Sequence, residues 1–204
     1  MYTNFYAFMG SVVLISMSGV MMPGPVFAVS IAKGHRSGIA GSLIALGHGL
    51  LEFPLMALIF LGFSRYLTSS LALTSISVVG GAMLVYMGIK MFQARGKTGV
   101  EESDLPYGNV TAGFATTGSN PYFYLWWGTV GATFLINASI FGALGLIAFA
   151  VVHWLCDLVW YSFVSLATFK SRRFWTKTLH GVIFGLCGLF LVALGGWFMS
   201  SAIF

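Results

Sequence analysis

Long apolar stretches separated by short polar turns are the dominant pattern along this chain. A helix needs about 20 apolar residues to cross the hydrocarbon core of a bilayer. Six stretches reach that length or more, at residues 5–32, 38–63, 71–92, 109–135, 138–169 and 179–204. The turns between them are too short for a soluble domain. The pattern therefore predicts an all-α membrane protein with six transmembrane helices in one domain, residues 1–204.

The composition agrees with that prediction and excludes several other classes of protein. Hydrophobic residues make up 58% of the chain and charged residues only 7%, whereas a soluble domain carries roughly 25% charged residues. We therefore expect the lipid bilayer to be the main solvent. The net charge of +5 does not indicate nucleic-acid binding, because the basic residues border the apolar stretches. The two cysteines lie in different helices without Cys-x-x-Cys spacing, so neither a zinc site nor a cofactor is indicated.

Lysine and arginine concentrate in alternate turns of the chain. Nine of the ten lie in the first, third and fifth turns, and Arg65 alone lies in the second. The positive-inside rule then predicts that the odd-numbered turns are cytoplasmic and that both termini are extracytoplasmic. In the first turn, Lys33, His35 and Arg36 are expected to anchor the chain at the membrane interface. We expect a multi-pass protein of the plasma membrane.

The longest turn, at residues 93–107, divides the chain into two three-helix halves, about 1–95 and 105–204. The first half begins outside and the second inside, which is the arrangement of an inverted repeat. Each half has a proline break, Pro23-Gly24-Pro25 in the first helix and Ser119-Asn120-Pro121 in the fourth. Each break lies roughly 15–18 Å from the cytoplasmic end of its helix. Both helices are therefore predicted to be broken at the midplane of a core about 30 Å thick.

A histidine and an acid recur four residues apart in the helix that follows each break. The pairs are His48 with Glu52 and His153 with Asp157. This spacing places both side chains of a pair on one helix face. Ionisable groups inside a membrane are expensive and usually serve a function. The duplicated pairs therefore indicate a transporter with its site near the midplane.

The breaks and the acids supply opposite charges to such a site. The free amides that begin each new half-helix can hold a carboxylate, and the two acids can hold an ammonium group, which suits an amino acid. We predict substrate binding by Pro23, Gly24, Pro25, Glu52, Ser119, Asn120, Pro121 and Asp157. We predict proton coupling by Glu52, Asp157, His48 and His153.

Four motifs occur in a fixed order: Met22-Pro23-Gly24-Pro25, the basic and small-residue run 33–41, the stretch 80–88 and Asn120-Pro121. In this order they resemble the lysine-exporter (LysE/RhtB) family of bacterial and archaeal amino-acid exporters. The resemblance implies a six-helix secondary active exporter rather than an enzyme, working by proton antiport with alternating access. Val26 stands where that family often has asparagine, and Tyr122 where it often has lysine. Without that lysine, a cationic or small neutral amino acid is the expected substrate.

Other interpretations of the same residues stay open. Two histidines and two carboxylates are enough ligands for a transition metal, so a divalent-metal exporter of the same superfamily is the alternative. An intramembrane enzyme is disfavoured, because His-Glu-x-x-His and Gly-x-Ser-x-Gly are absent. The prolines can be packing kinks, and the histidine–acid pairs can be internal salt bridges. Three threonines are interpreted as bonding to nearby backbone, and two glycine faces as packing or homodimer surfaces: Thr111, Thr116 and Thr117, and residues 142–145 and 181–185.

Overall fold

The computed structural model describes residues 4–63, 66, 69–95 and 107–202. These residues form helices joined by short turns, and no strand occurs among them, which confirms the prediction of an all-α protein. The helices are α1 (Phe5–Val20), α2 (Pro25–Gly34), α3 (Ala40–Leu58), α4 (Ser70–Ala94), α5 (Asn109–Gly118), α6 (Pro121–Trp126), α7 (Ala132–Ser139), α8 (Gly142–Ser171) and α9 (Lys177–Ser201). A π-helical turn extends α3 over Ile59–Phe63, another joins α6 to α7 over Trp127–Gly131, and a 3-10 turn follows α8 over Arg172–Phe174.

Several of these helices are long and apolar enough to cross a membrane. α1 and α2, bent by 73° at their break, make one such span if they are counted together. Four further spans qualify without a break: Ala40–Phe63, Ser70–Gln93, Gly142–Phe174 and Lys177–Ser201. The predicted stretch 109–135 is divided among α5, α6 and α7. Arg65 and residues 96–106 of the longest turn lie outside the described residues.

Proline and its neighbours begin a new helix at each of the two breaks. α1 ends at Val20, and Gly24 is extended (φ −143°, ψ −177°) before Pro25 starts α2. Proline suits this first helical position, because its φ is already helical and its missing amide hydrogen would have no partner there. At the second break, Asn120 Oδ1 accepts a hydrogen bond from the amide of Tyr122 at 3.1 Å and so caps α6. The chain therefore passes from one half-helix to the next at both breaks.

Glycines let the central helices approach one another closely. A β-carbon at Gly41 of α3 would lie 1.8 Å from the carbonyl oxygen of Tyr161 in α8. A β-carbon at Gly47 of α3 would lie 2.0 Å from the carbonyl oxygen of Val110 in α5. Small residues of this kind allow direct backbone approach between helices in a membrane. α3 is therefore held between α5 and α8, which positions half of the predicted site.

α4 and α9 form a second tight pair through glycines. A β-carbon at Gly88 would lie 2.6 Å from the carbonyl oxygen of Gly188, and one at Gly195 would lie 2.5 Å from that of Gly81. The two helices run in opposite directions and are in contact at both levels. This pair packs beside the central helices, because Gly80 of α4 faces the carbonyl oxygen of Ser119 at the second break.

The glycine faces proposed as homodimer surfaces are used within the chain. A β-carbon at Gly145 would lie 2.3 Å from the carbonyl oxygen of Ala138, and one at Gly181 would lie 3.2 Å from that of Arg95. Both glycines therefore accommodate a neighbouring segment of the same molecule. A homodimer stays a prediction.

Two separate clusters of buried apolar side chains meet at the polar centre. Among the described residues, one joins α1, α2, α3, α4, α5, α8 and α9, and the other joins α1, α3, α6, α7 and α8. His48 lies between them, with ring centroids 6.4 Å from Tyr161 of the first cluster and 5.4 Å from Phe123 of the second. α1, α3 and α8 contribute side chains to both clusters, so these three helices connect the two sides of the centre.

The first turn is more than an interfacial anchor. Lys33 is only 3% exposed, and its ammonium group donates a hydrogen bond to the carbonyl oxygen of Tyr107 and lies 5.2 Å from the centre of the Tyr107 ring. Lys33 therefore joins α2 to the segment that precedes α5, and its position at the membrane interface stays a prediction. His35 packs against Trp175 and His180, with ring centroids 4.8 Å away in each case.

Burial of His35 leads to a testable dependence of stability on pH. His35 lies in the turn between α2 and α3, outside the spanning helices. Burial and the neighbours His180, Arg172 and Arg36 lower its pKa from 6.5 to about 4. The unfolded chain then binds a proton where the folded chain does not, so the free energy of unfolding falls as the pH drops from about 6.5 towards 4. In His35→Gln we expect this part of the fall to disappear. Thermal unfolding of both proteins across that pH range measures it, and parallel profiles would contradict the assignment.

Candidate functional site

The four ionisable side chains singled out in the sequence meet in one cluster between α3 and α8. Glu52 Oε1 lies 3.0 Å from His48 Nε2 and 3.1 Å from His153 Nε2, so it accepts a hydrogen bond from both histidines. Asp157 is farther away, with 3.7 Å between its Oδ1 and His48 Nε2 and 3.9 Å between its Oδ2 and His153 Nε2. All four residues are buried, and Glu52 is 0% exposed. Glu52 is thus the point where the two histidines converge.

Two hydroxyl groups hold the outer nitrogens of the histidine rings. Ser16 Oγ of α1 lies 2.7 Å from His153 Nδ1, and Thr117 Oγ1 of α5 lies 2.8 Å from His48 Nδ1. The sequence interpretation is right for Thr116, whose hydroxyl donates to the Ala112 carbonyl oxygen of its own helix. It is wrong for Thr117, which bonds across to another helix.

Ser16 was missed by the sequence interpretation, although the sequence carries a signal for it. The buried residues of α1 recur every four positions: Phe8, Val12, Ser16 and Val20. Side chains with that spacing lie on one helix face. A serine on the buried face of an otherwise apolar helix needs a polar partner, since an unpaired hydroxyl is costly away from water. The partner itself is visible only in three dimensions.

A cavity of about 110 Å³ opens beside the cluster. A single water needs about 10–15 Å³ of such space, so the cavity can admit a small polar molecule. Its walls include Glu52, Asp157 and both histidines, together with apolar and aromatic side chains. Glu52 Oε2 and Asp157 Oδ2 are buried and have no hydrogen-bond partner among the described residues. A buried acceptor left unpaired is costly, so these oxygens are suited to receive donors from a bound molecule.

Aromatic rings fix the histidines from the apolar side of the cavity. The Trp126 ring stacks on His153 at 5.1 Å and 23°, and the Trp127 ring meets His153 edge-on at 5.0 Å and 80°. Among the described residues, no lysine or arginine lines the cavity, and Tyr122 occupies part of its wall. The site therefore offers carboxylates and π-faces, which both attract a cation.

Most of the predicted residues at the two breaks lie outside this cavity, and Asn120 is part of its wall. Pro23, Gly24 and Pro25 line a second cavity of about 300 Å³, which shares five wall residues with the first. Asn120 lines both cavities, although its side-chain oxygen already caps α6. Ser119 and Pro121 line neither of the two, and the Ser119 hydroxyl donates to the Ala115 carbonyl oxygen at 2.6 Å. The shared wall residues are Gly19, Val26, Asn120, Tyr122 and Tyr161.

Comparison with known proteins shows to which family the chain belongs. Residues 17–202 match the model of the LysE type translocator family. The chain belongs to that family. The match confirms the resemblance seen in the motifs, and it confirms that the chain is a multi-pass membrane transporter and not an enzyme. The chain is also 24% identical over 200 residues to the "Putative amino acid efflux protein YcgF" of Bacillus subtilis (strain 168), covering 92% of this chain and 93% of the relative. No solved structure matches this chain.

In this LysE type translocator, three of the clustered residues are also spaced to hold a metal ion. His48, Glu52 and Asp157 each offer a ligand atom, and these atoms all lie within 4.8 Å of one another. Imidazole and carboxylate ligands together suit a divalent transition metal. His48 Nε2 would first have to lose the hydrogen that it donates to Glu52, because a metal ligand must present a lone pair.

Proposed function

We propose that this LysE type translocator is a secondary active exporter of amino acids in the plasma membrane, driven by proton antiport with alternating access. The observation that carries the proposal is the pair of buried, unpartnered carboxylate oxygens of Glu52 and Asp157 beside a cavity. The name of the Bacillus subtilis relative supports amino-acid efflux. The described residues of the cavity lining include carboxylates and neither lysine nor arginine, which favours a cationic or small neutral amino acid.

In this proposal the two acids receive the ammonium group of the substrate. Glu52 Oε2 and Asp157 Oδ2 are the available acceptors, and an ammonium group offers three donors. The substrate carboxylate lies towards Pro23, Gly24 and Pro25 at the start of α2. The second break contributes Ser119, Asn120 and Pro121 to the binding of this carboxylate in the proposal. There α6 continues through its π-helical turn into α7. Backbone amides and the helix dipole favour an anion at such positions.

Proton coupling in this proposal uses Glu52, Asp157, His48 and His153. The carboxylates hold the substrate when they are ionised, and they take up protons after the substrate has left. The histidines accept and release protons between the two acids, since each histidine Nε2 lies within 4 Å of both. In this proposal the cavity opens alternately towards each side of the membrane, with the polar cluster lying between the two apolar clusters.

We further propose that the fold is an inverted repeat of two three-helix halves, about 1–95 and 105–204, with both termini extracytoplasmic. In this arrangement α1 with α2 forms the first span, and α5 with α6 and α7 forms the fourth. Crossed contacts support it: His48 of the first half lies near Asp157 of the second, and His153 of the second bonds to Glu52 of the first. Gly88 with Gly188 and Gly81 with Gly195 form a similarly reciprocal set.

The direct test is transport by the purified protein in proteoliposomes. We expect radiolabelled L-lysine or L-alanine to move against its own concentration gradient when an imposed pH gradient drives protons across the membrane in the direction opposite to that movement. In detergent, we also expect at least one amino acid from a panel of the proteinogenic amino acids to raise the thermal unfolding midpoint of the purified protein. Protein-free vesicles provide the control. The proposal fails if no amino acid of the panel stabilises the protein or responds to the pH gradient.

A second candidate function is export of a divalent metal ion as the cargo. The observation that favours it is the convergence of ligand atoms from His48, Glu52 and Asp157 within 4.8 Å. Zn²⁺ and Mn²⁺ belong in the same stabilisation panel for this reason. Stabilisation by a metal alone, lost in His48→Ala, would replace the amino-acid proposal with this one.

A further inference from the structure

Two hydroxyls bond across the molecule instead of within their own helices. Ser16 and Thr117 are 2% and 1% exposed, and they bond to the Nδ1 atoms of His153 and His48 at 2.7 and 2.8 Å. Their neighbours behave differently. Ser11 of α1 donates to the Phe8 carbonyl oxygen at 2.7 Å, and Thr116 of α5 donates within its own helix. Ser16 and Thr117 therefore differ from these neighbours in the same helices by bonding to a histidine of another helix.

Each of these hydroxyls fixes which ring nitrogen carries the hydrogen. Nε2 of each histidine lies within hydrogen-bond distance of Glu52 Oε1, and an ionised carboxylate can only accept, so each histidine donates from Nε2 when Glu52 is ionised. In a neutral imidazole, Nδ1 then carries the lone pair, so the hydroxyl must be the donor to Nδ1. Without that donor, the ring can adopt the opposite tautomer, which turns a lone pair towards the carboxylate. The aromatic neighbours pack against the rings but cannot select a tautomer.

Each of the two hydroxyls lies in the helix that precedes one of the breaks. Ser16 lies in the last turns of α1, before the first break, and Thr117 lies at the end of α5, before the second. Each bonds to the histidine that follows the other break, 137 and 69 residues away in sequence. A shift of either broken helix therefore moves the hydroxyl that orients the opposite histidine.

We propose that Ser16 and Thr117 are positioning residues that hold His153 and His48 as Nε2–H donors and link each broken helix to the opposite histidine. The proposal rests on the proposed function only for its transport readout. Its structural part concerns ring tautomers, which are measured without any substrate. Failure of amino-acid export would therefore leave that part open to its own test.

The structural arm uses ¹⁵N NMR of histidine rings in the full-length purified protein. The chain has four histidines, so His35 and His180 serve as internal references. We expect the Nε2–H tautomer at His48 and His153. Thr117→Val should alter the pattern of His48 alone, and Ser16→Ala that of His153 alone. The matched controls Thr116→Val and Ser11→Ala should change neither. A doubly protonated pattern at both rings in the unaltered protein, or unchanged patterns in both variants, would overturn the proposal.

Transport measurements distinguish an effect on the orientation of the histidine rings from an effect on substrate binding. With L-lysine or L-alanine as the probe, Ser16→Ala and Thr117→Val should lower the maximal rate by roughly three- to tenfold, the effect of one hydrogen bond, and leave KM within about twofold. The hydroxyl-keeping variants Ser16→Thr and Thr117→Ser should recover most of the rate. Equal loss in Thr117→Ser and Thr117→Val would show that shape, not the hydroxyl, matters, and would overturn the proposal.

Discussion

Export driven by a pH gradient is expected to fall to the level of protein-free vesicles in Glu52→Gln. Glu52 accepts hydrogen bonds from both histidines and is fully buried. Glutamine keeps the shape and one acceptor oxygen, so His48 and His153 can still bond there. It cannot take up or release a proton, and it removes a charge that would attract an ammonium group. We therefore expect Glu52→Gln to lose proton-coupled export while the protein still folds. Proteoliposome transport under an imposed gradient measures it.

Exchange of labelled for unlabelled substrate without a gradient provides the control. We expect Glu52→Gln to retain exchange with a raised KM, because Asp157 still faces the cavity. Asp157→Asn should raise KM as well, since Asp157 Oδ2 is the other unpartnered acceptor. An unchanged elution profile in size-exclusion chromatography checks the fold. Gradient-driven export at the unaltered rate in Glu52→Gln would contradict its role in coupling.

The second large effect is expected in Gly41→Ala. The new β-carbon would lie 1.8 Å from the carbonyl oxygen of Tyr161 and 2.6 Å from Ser165 Oγ. A backbone carbonyl cannot turn aside as a flexible side chain can, so α3 and α8 must move apart. Overpacking typically costs about 1–3 kcal/mol, and sometimes more. The same movement would separate Glu52 from His153, so we expect loss of both stability and transport. The thermal unfolding midpoint and the yield of folded protein measure it.

Gly196→Ala is the matched control for Gly41→Ala. Gly196 also lies inside a long helix, but a β-carbon there meets nothing within 4 Å. Replacing glycine by alanine in a helix is favourable by roughly 1 kcal/mol when space permits. We therefore expect an unchanged or slightly higher midpoint for Gly196→Ala. Equal destabilisation by both substitutions would show that backbone effects, and not the contact with α8, govern Gly41.

The helices and the breaks follow from local properties of the sequence. Apolar length predicts where helices run, and proline predicts where α2 and α6 begin, because both effects act within one turn of the chain. The pairing of His48 with Glu52 is also local, since four residues make one helical turn. These features could be predicted without knowing how the helices pack.

The contacts between helices could not be predicted in this way. Ser16 and Thr117 gain their partners only through the packing of α1 on α8 and of α5 on α3. His153 bonds to Glu52 of another helix and not to Asp157 of its own, although the i,i+4 spacing is the same as in the first pair. Lys33 is buried against Tyr107 for a similar reason. Local spacing states which partners are within reach, and the packing of helices decides among them.

The convergence of both histidines on Glu52 also bears on how the chain is made. During synthesis the first three helices leave the ribosome before α8, so Glu52 enters the bilayer while His153 is still untranslated. An acid at the centre of a helix raises the cost of insertion by roughly 2.5–3.5 kcal/mol. His48 relieves part of that cost from within α3, and the remainder is recovered when α8 arrives. A nascent chain arrested before α8 would therefore expose a polar helix that quality-control proteases in the membrane can recognise.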